Sequence, residues 1–84
     1  MRISYHPKFR SEYRKLPTEI QLLTEKKELL FRDNPFDPRL KCHKLHGELS
    51  GFYAWSINQK YRIIFRFSNP QEVRFLSVGT HDIY

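Results

Sequence analysis

A histidine and an arginine in this sequence are of the types that transfer protons and bind phosphate. His81 lies in "SVGTHDIY", residues 77–84, and Arg62 lies in "YRIIFRF", residues 61–67. Imidazole titrates near neutral pH and can give or take a proton. A guanidinium group matches phosphate oxygens through two parallel hydrogen bonds. The plain alternatives, a lone surface histidine and a solvated strand arginine, stay open at this point.

A second group of such residues lies in the segment 35–51, "PFDPRLKCHKLHGELSG", whose two prolines and two glycines interrupt any regular pattern. Its basic side chains are Lys41, His43, Lys44 and His46. A long connection in a compact domain is often functional. No cluster of Cys, Asp or Glu accompanies the two histidines, so we predict no metal site. The three scattered glycines cannot form a phosphate-binding loop, and we expect no cofactor.

Charge narrows the classes of partner. Fifteen Lys and Arg against nine Asp and Glu give a net charge of +6. Such a domain attracts polyanions, which favours RNA, DNA or an acidic protein, although this charge also suits simple solubility. The single cysteine, Cys42, excludes an intrachain disulfide and favours the cytoplasm. No stretch approaches the ~18 apolar residues that span a membrane.

The elements that must position these residues follow from periodicity. We predict a strand in "RISYH", two helices that form a hairpin, and three strands in the last third, which make one domain over residues 1–84. The order β-α-α-β-β-β predicts an α+β fold, with the helical hairpin packed on one face of a small antiparallel sheet. The other face of this sheet is expected to be free and to carry arginine.

Two finer expectations concern which side chains are buried. In the second helix, Ile20, Leu23, Lys27 and Leu30 are predicted to line the buried side, which Leu22 and Leu29 widen. In the last strand, alternation places Val73, Phe75 and Ser77 on one face, opposite Arg74, Leu76 and Val78.

The whole chain resembles the RelE/ParE superfamily of bacterial toxins. The resemblance rests on the order of the initial strand, the helical hairpin, the loop "HKLHGELSG", the strand "YRIIF" and the ending "FLSVGTHDIY". Within the superfamily, the ribosome-dependent messenger-RNA endonucleases of the RelE and YafQ types are most similar. The resemblance therefore implies a RelE-like fold and a metal-independent endoribonuclease that inhibits translation.

The resemblance also implies which residues act. His43 and His81 match histidines of the YafQ type, Arg62 matches the strand arginine of the RelE type, and Tyr84 is similar to a C-terminal aromatic residue of the family. These four are the predicted catalytic residues. Neighbouring basic side chains are predicted to bind RNA: Lys41, Lys44, His46, Lys60 and Arg66. Ala54 and Ser56 stand where the RelE type has lysines, and the YafQ type has a histidine at Ser56 and an acid at Lys60.

These departures keep two other functions open. One is a toxin of the ParE type, which poisons DNA gyrase without cleaving RNA, and the other is a basic module that binds RNA or protein. The resemblance further implies messenger RNA in the ribosomal A site as substrate and a cognate antitoxin as partner. That antitoxin is expected to carry the complex to operator DNA. An acidic segment of the antitoxin would suit the +6 surface.

Overall fold

A computed structural model describes residues 1–80 of the chain. Its elements are β1 (Arg2–Tyr5), α1 (Pro7–Arg14), α2 (Thr18–Asp33), β2 (His43–Lys44), β3 (Tyr53–Ser56), β4 (Tyr61–Asn69) and β5 (Glu72–Thr80). Short 3₁₀ turns at Pro38–Leu40 and Gly47–Leu49 lie on either side of β2. Within these residues, no helix has the length and apolarity that a membrane crossing needs.

The five strands form one sheet in the order β1-β5-β4-β3-β2. β1 runs parallel to β5, and every other neighbouring pair is antiparallel. This arrangement confirms the predicted α+β fold with helices packed on a small sheet. The segment predicted as a long connection contributes the extra strand β2, whose two residues are too few to produce a periodic signal.

Both helices pack on the same side of the sheet, which we call the helix face. Its core is aromatic: Phe31 of α2 lies 5.0 Å from Phe65 and 5.3 Å from Phe75 between ring centroids, and it stacks on Trp55 at 5.6 Å. All four side chains are fully buried. Large aromatic side chains let a domain of this size exclude water with few residues.

The buried side of α2 differs from the predicted one. Phe31 and Thr24 are buried, whereas Leu22 is 62% exposed and Leu29 is 68% exposed. The prediction for Leu22 and Leu29 was therefore wrong. A helix on a flat sheet buries only one side, and these two leucines, seven residues apart, share a side that points away from it.

A β-bulge changes the facing of the side chains in β5. Phe65 of β4 pairs with Phe75, but Ile64 pairs with Ser77, so Leu76 is an extra residue. Beyond the bulge the alternation reverses, and Val78 joins the core of the helix face. The predicted facing of Ser77 and Val78 was therefore wrong, because strict alternation cannot anticipate an inserted residue.

The opposite side of the sheet, which we call the outer face, is not free along its middle. Leu45, Ala54 and Ile64 form a small buried cluster there, against which Leu49, Phe52 and Leu76 pack. Leu49 comes from the 3₁₀ turn Gly47–Leu49, which therefore folds over part of the sheet. The expectation of a free face was wrong in this central region. The polar residues of the outer face lie on either side of this apolar cluster.

Candidate functional site

Arg62 is held on the outer face near the start of β4. Its Nη1 donates hydrogen bonds to the backbone carbonyl oxygens of Asn58 at 2.9 Å, Gln59 at 3.2 Å and Tyr61 at 3.4 Å. The side chain is half-buried. These three backbone carbonyls orient the guanidinium group on the outer face.

The turn between β3 and β4 supplies those carbonyls, and Asn58 shapes it. The Oδ1 of Asn58 accepts hydrogen bonds from the backbone N–H groups of Lys60 at 2.9 Å and Tyr61 at 2.8 Å. Asparagine side chains commonly fold a turn in this way. The part that Asn58 plays in placing Arg62 depends on the three-dimensional path of this turn.

His43 lies in β2 and is exposed. Its Nδ1 is 3.2 Å from the carbonyl oxygen of Lys41. A carbonyl can only accept, so this hydrogen bond requires the proton on Nδ1 and leaves Nε2 of the neutral ring as a proton acceptor. The local backbone thus favours the tautomer that a general base with a free Nε2 requires.

The strand register places His43 and Arg62 on the same face. His43 pairs with Ala54, Ala54 pairs with Ile64, and Arg62 lies two residues before Ile64 in β4. With strands about 4.8 Å apart and about 3.4 Å per residue, their Cα atoms are separated by about 10 Å across the sheet and about 7 Å along it. The two side chains therefore border one patch of the outer face.

The remaining basic residues do not all face this patch. Arg66 is exposed on the outer face, whereas Lys44 pairs with Tyr53, a residue of the helix face, and so lies on the other side of β2 from His43. The Nζ of Lys60 lies 5.6 Å from the ring centroid of Tyr61. Lys41 and His46 are exposed before and after β2. The predicted cluster is thus divided between the two sides of the sheet.

Two of the predicted catalytic residues, His81 and Tyr84, lie outside the described residues. Gly79 and Thr80, the last two residues of β5, pair with Arg62 and Tyr61. His81 follows Thr80 directly in the sequence. The assignment of His81 and Tyr84 to the site stays a prediction, as do the roles of Arg62 and His43.

Glu12 of α1 connects the helix to the bulge in β5. One of its carboxylate oxygens accepts hydrogen bonds from the Ser77 hydroxyl at 2.7 Å and from the Val78 backbone N–H at 3.1 Å. β1 pairs with β5 only as far as Phe75, so Glu12 satisfies a strand N–H that lies beyond the end of β1. Sequence reasoning missed this residue, because a glutamate on a charged helix surface carries no signal of a distant strand.

Metal and thiol chemistry find no support in residues 1–80. No group of three or more His, Cys, Asp or Glu side chains in that range could hold a metal ion. Burial raises the pKa of the Cys42 thiol to about 11. Since the thiolate is the reactive form, Cys42 is suited to a packing position rather than to nucleophilic attack at neutral pH.

Comparisons with known proteins concern the family and the fold of the chain. A family model described as "bacterial toxin of type II toxin-antitoxin system, YafQ" matches residues 1–83. A sequence comparison with curated proteins gives no match.

Solved structures share the fold. A YoeB/ParE toxin from Agrobacterium tumefaciens has a TM-score of 0.81 at 16% identity, over 96% of this chain and 99% of that chain. YafQ from E. coli has a TM-score of 0.79 at 18% identity, over 98% and 96%. The YoeB–YefM complex from Staphylococcus aureus has a TM-score of 0.77 at 18% identity, over 96% and 97%.

Proposed function

The chain belongs to the YafQ family of bacterial toxins of type II toxin–antitoxin systems, and we propose that it acts as an endoribonuclease on messenger RNA. The observation that carries this proposal is that two chemically different groups lie on the same patch of the outer face. Arg62 is a cation oriented by three carbonyl contacts, and His43 is an imidazole whose hydrogen bond leaves Nε2 as an acceptor. A phosphate clamp and a proton acceptor are two of the parts that RNA cleavage requires.

The proposed reaction begins with attack of a ribose 2′-hydroxyl on the adjacent phosphorus. One histidine removes the hydroxyl proton as the O2′–P bond forms, and a second histidine protonates O5′ as the P–O5′ bond breaks. The products are a 2′,3′-cyclic phosphate and a 5′-hydroxyl. His81 and His43 are assigned to the two proton transfers, and Arg62 stabilises the charge that develops on the phosphate oxygens.

Supporting roles fall to the remaining predicted residues. Tyr84 is assigned to stacking on a base, since every base has a face that an aromatic ring can cover. Lys41, Lys60 and Arg66 are assigned to the RNA backbone. Lys44 lies on the other side of β2 from His43. Lys44 and His46 are assigned to contacts with RNA that extends beyond the patch.

Family membership also supports a partner and a setting. The Staphylococcus aureus relative is seen in complex with YefM. We propose that this chain likewise binds a cognate antitoxin in the cytoplasm, and that the complex binds operator DNA through the antitoxin. Messenger RNA in the ribosomal A site is the proposed substrate.

The test is primer-extension mapping of messenger RNA after induction of the protein in cells, with and without engaged ribosomes. Wild-type protein should produce cuts in phase with codons. Arg62→Gln and His81→Ala should each lower cleavage by about 100-fold or more, as removal of a transition-state donor does elsewhere. Arg14→Gln is the matched control for lost charge, since Arg14 is exposed on α1, and it should cleave like wild type.

Other outcomes would replace the proposal. Intact messages together with DNA breaks would identify a gyrase poison on the same fold. Full toxicity of His81→Ala would remove this residue from the catalytic set. No growth arrest by wild-type protein expressed alone would leave a basic binding module.

A further inference from the structure

A cleft of about 380 Å³ opens beside the end of β3, next to the patch that carries Arg62. Four cationic side chains line it: Lys27, Arg39, Lys41 and Arg62. None of the described residues that line it is acidic or apolar; the others are Ser56, Asn58 and Gln59. Cationic side chains from four positions around one cavity favour the entry of an anion.

The four cations come from separate elements. Lys27 belongs to α2, Arg39 to the 3₁₀ turn Pro38–Leu40, and Lys41 to the residues just before β2. β2 pairs with Tyr53 and Ala54 only, so the edge of β3 at Ser56 is left open. Lys41 has a φ of 52°, a left-handed conformation that turns the chain away from further pairing with β3. The cleft is therefore a consequence of the early end of β2.

Ion pairing orients one of these cations and leaves the cleft positive. Asp37 accepts hydrogen bonds from the Arg39 side chain at 3.0 and 2.8 Å and from its backbone N–H at 2.9 Å. These hydrogen bonds lower the pKa of Asp37 to about 2. The Asp37 carboxylate therefore stays charged across the physiological pH range and holds the Arg39 guanidinium in place. It offsets the charge of Arg39, while Lys27 and Lys41 still contribute positive charge to the cleft.

We propose that this cleft binds a backbone phosphate of the RNA strand, next to the phosphate that Arg62 contacts in the reaction. The inference rests on the proposed function and adds Lys27 and Arg39 to the residues that contact RNA. Arg62 lines both the cleft and the outer-face patch, so a strand held there continues directly into the cleft. A protein partner is disfavoured, because none of the described lining residues is apolar or aromatic, as the anchors of protein interfaces usually are.

Binding of a short single-stranded RNA tests this directly. The probe is a fluorescently labelled oligonucleotide with 2′-O-methyl riboses, which cannot be cleaved by attack of a 2′-hydroxyl. Fluorescence anisotropy gives Kd for the full chain at several salt concentrations. Lys27→Gln should raise Kd about threefold to tenfold and reduce the salt dependence of log Kd by about 0.7, the share of one phosphate contact on a single strand.

Lys26→Gln is the matched control. Lys26 is adjacent to Lys27 on the same helix, is exposed and does not line the cleft, so it loses the same charge at a different place. It should leave Kd and the salt slope within error of wild type. The urea midpoint of both variants, followed by the fluorescence of Trp55, should match that of wild type and show that they are folded.

The outcomes separate this inference from the proposed function. Equal Kd for Lys27→Gln and Lys26→Gln, or no binding of the oligonucleotide by wild type, would overturn the cleft assignment even if codon-phased cleavage is observed. If Lys27→Gln binds RNA more weakly but the wild-type protein cuts no messenger RNA, the cleft assignment is supported and the proposed nuclease function is rejected. Loss of antitoxin affinity by Lys27→Gln with unchanged RNA affinity would assign the cleft to the antitoxin and overturn the inference.

Discussion

The two faces of the sheet are built in opposite ways. The helix face is packed with aromatic rings, and Phe31, Trp55, Phe65 and Phe75 are completely buried. On the outer face, the described residues form a narrow apolar cluster around Ile64, with His43, Arg62 and Arg66 around it. One side of each strand therefore stabilises the fold and the other is available for chemistry. This division predicts that substitutions on the two faces affect different measurements.

The largest effect on stability is expected at Phe31. Phe31→Ala should lower the free energy of unfolding by about 3–5 kcal/mol, because the ring contacts three other aromatic residues and leaves a cavity when removed. Leu29→Ala, two residues earlier on the same helix but exposed, should change it by less than about 0.5 kcal/mol. Urea denaturation followed by circular dichroism measures both. Similar losses in the two variants would contradict the described burial of α2.

A smaller effect is expected at Glu12, where α1 meets the bulge that reverses the facing of β5. Glu12→Ala should lower the free energy of unfolding by about 1–3 kcal/mol, since it leaves the Ser77 hydroxyl and the Val78 N–H without this acceptor. A double-mutant cycle with Ser77→Ala, read by urea denaturation, isolates the side-chain contact. Strict additivity of the two substitutions would show that the hydrogen bond between Glu12 and Ser77 contributes nothing.

The smallest effect on stability is expected at alkaline pH and comes from Tyr5, whose side chain packs on the helix face. Burial, together with the hydrogen bond that its hydroxyl donates to Glu28 at 2.6 Å, raises the pKa of Tyr5 from 10 to about 12. Folding thus favours the neutral phenol. Its contribution to stability is complete below pH 10 and is lost as the pH rises from 10 to about 12.

Tyr5→Phe should therefore show a shallower loss of stability over this alkaline range than wild type, measured by urea denaturation at a series of pH values. Tyr13, whose pKa is also raised to about 12 by burial and by Glu25, should still contribute to the loss of stability with rising pH. The double variant Tyr5→Phe, Tyr13→Phe should lose less stability over this range than either single variant. An alkaline slope that is equal in wild type and Tyr5→Phe would contradict the described environment of this phenol.

Regular periodicity was sufficient to predict most of the fold. The helices and the long strands β4 and β5 follow from alternation and from i, i+4, i+7 spacing. The predictions were wrong in two places. One is the bulge, where an inserted residue interrupts the alternation of a strand, and the other is α2, where apolar residues lie on more than one side of the helix. The extra residue Leu76 reverses the faces of the sheet on which Ser77 and Val78 lie. In α2, Leu22 and Leu29 were predicted to be buried, whereas Phe31 is the residue that fills the core.

The candidate site was less predictable, for a different physical reason. Arg62 could be selected because an arginine inside an apolar strand is unusual and because its motif resembles that of a family. Lys27 and Arg39 could not, since Lys27 lies among the apolar residues of α2 in sequence, Arg39 lies in a connection, and the two become neighbours only where β2 ends early. Charge clusters formed by distant segments leave no local pattern in the sequence.

The parallel pairing of β1 with β5 has a consequence for the synthesis of the protein. Ribosomes make β1 before β5, and the strand partner of Ser4 is Arg74, seventy residues later. Until β5 has emerged, β1 has no partner, and Phe31 lacks the Phe75 ring that completes its packing. Such long-range pairing is slow and occurs late. A nascent chain should therefore acquire its folded core, and with it the supported outer face, only after the codons of β5 have been translated.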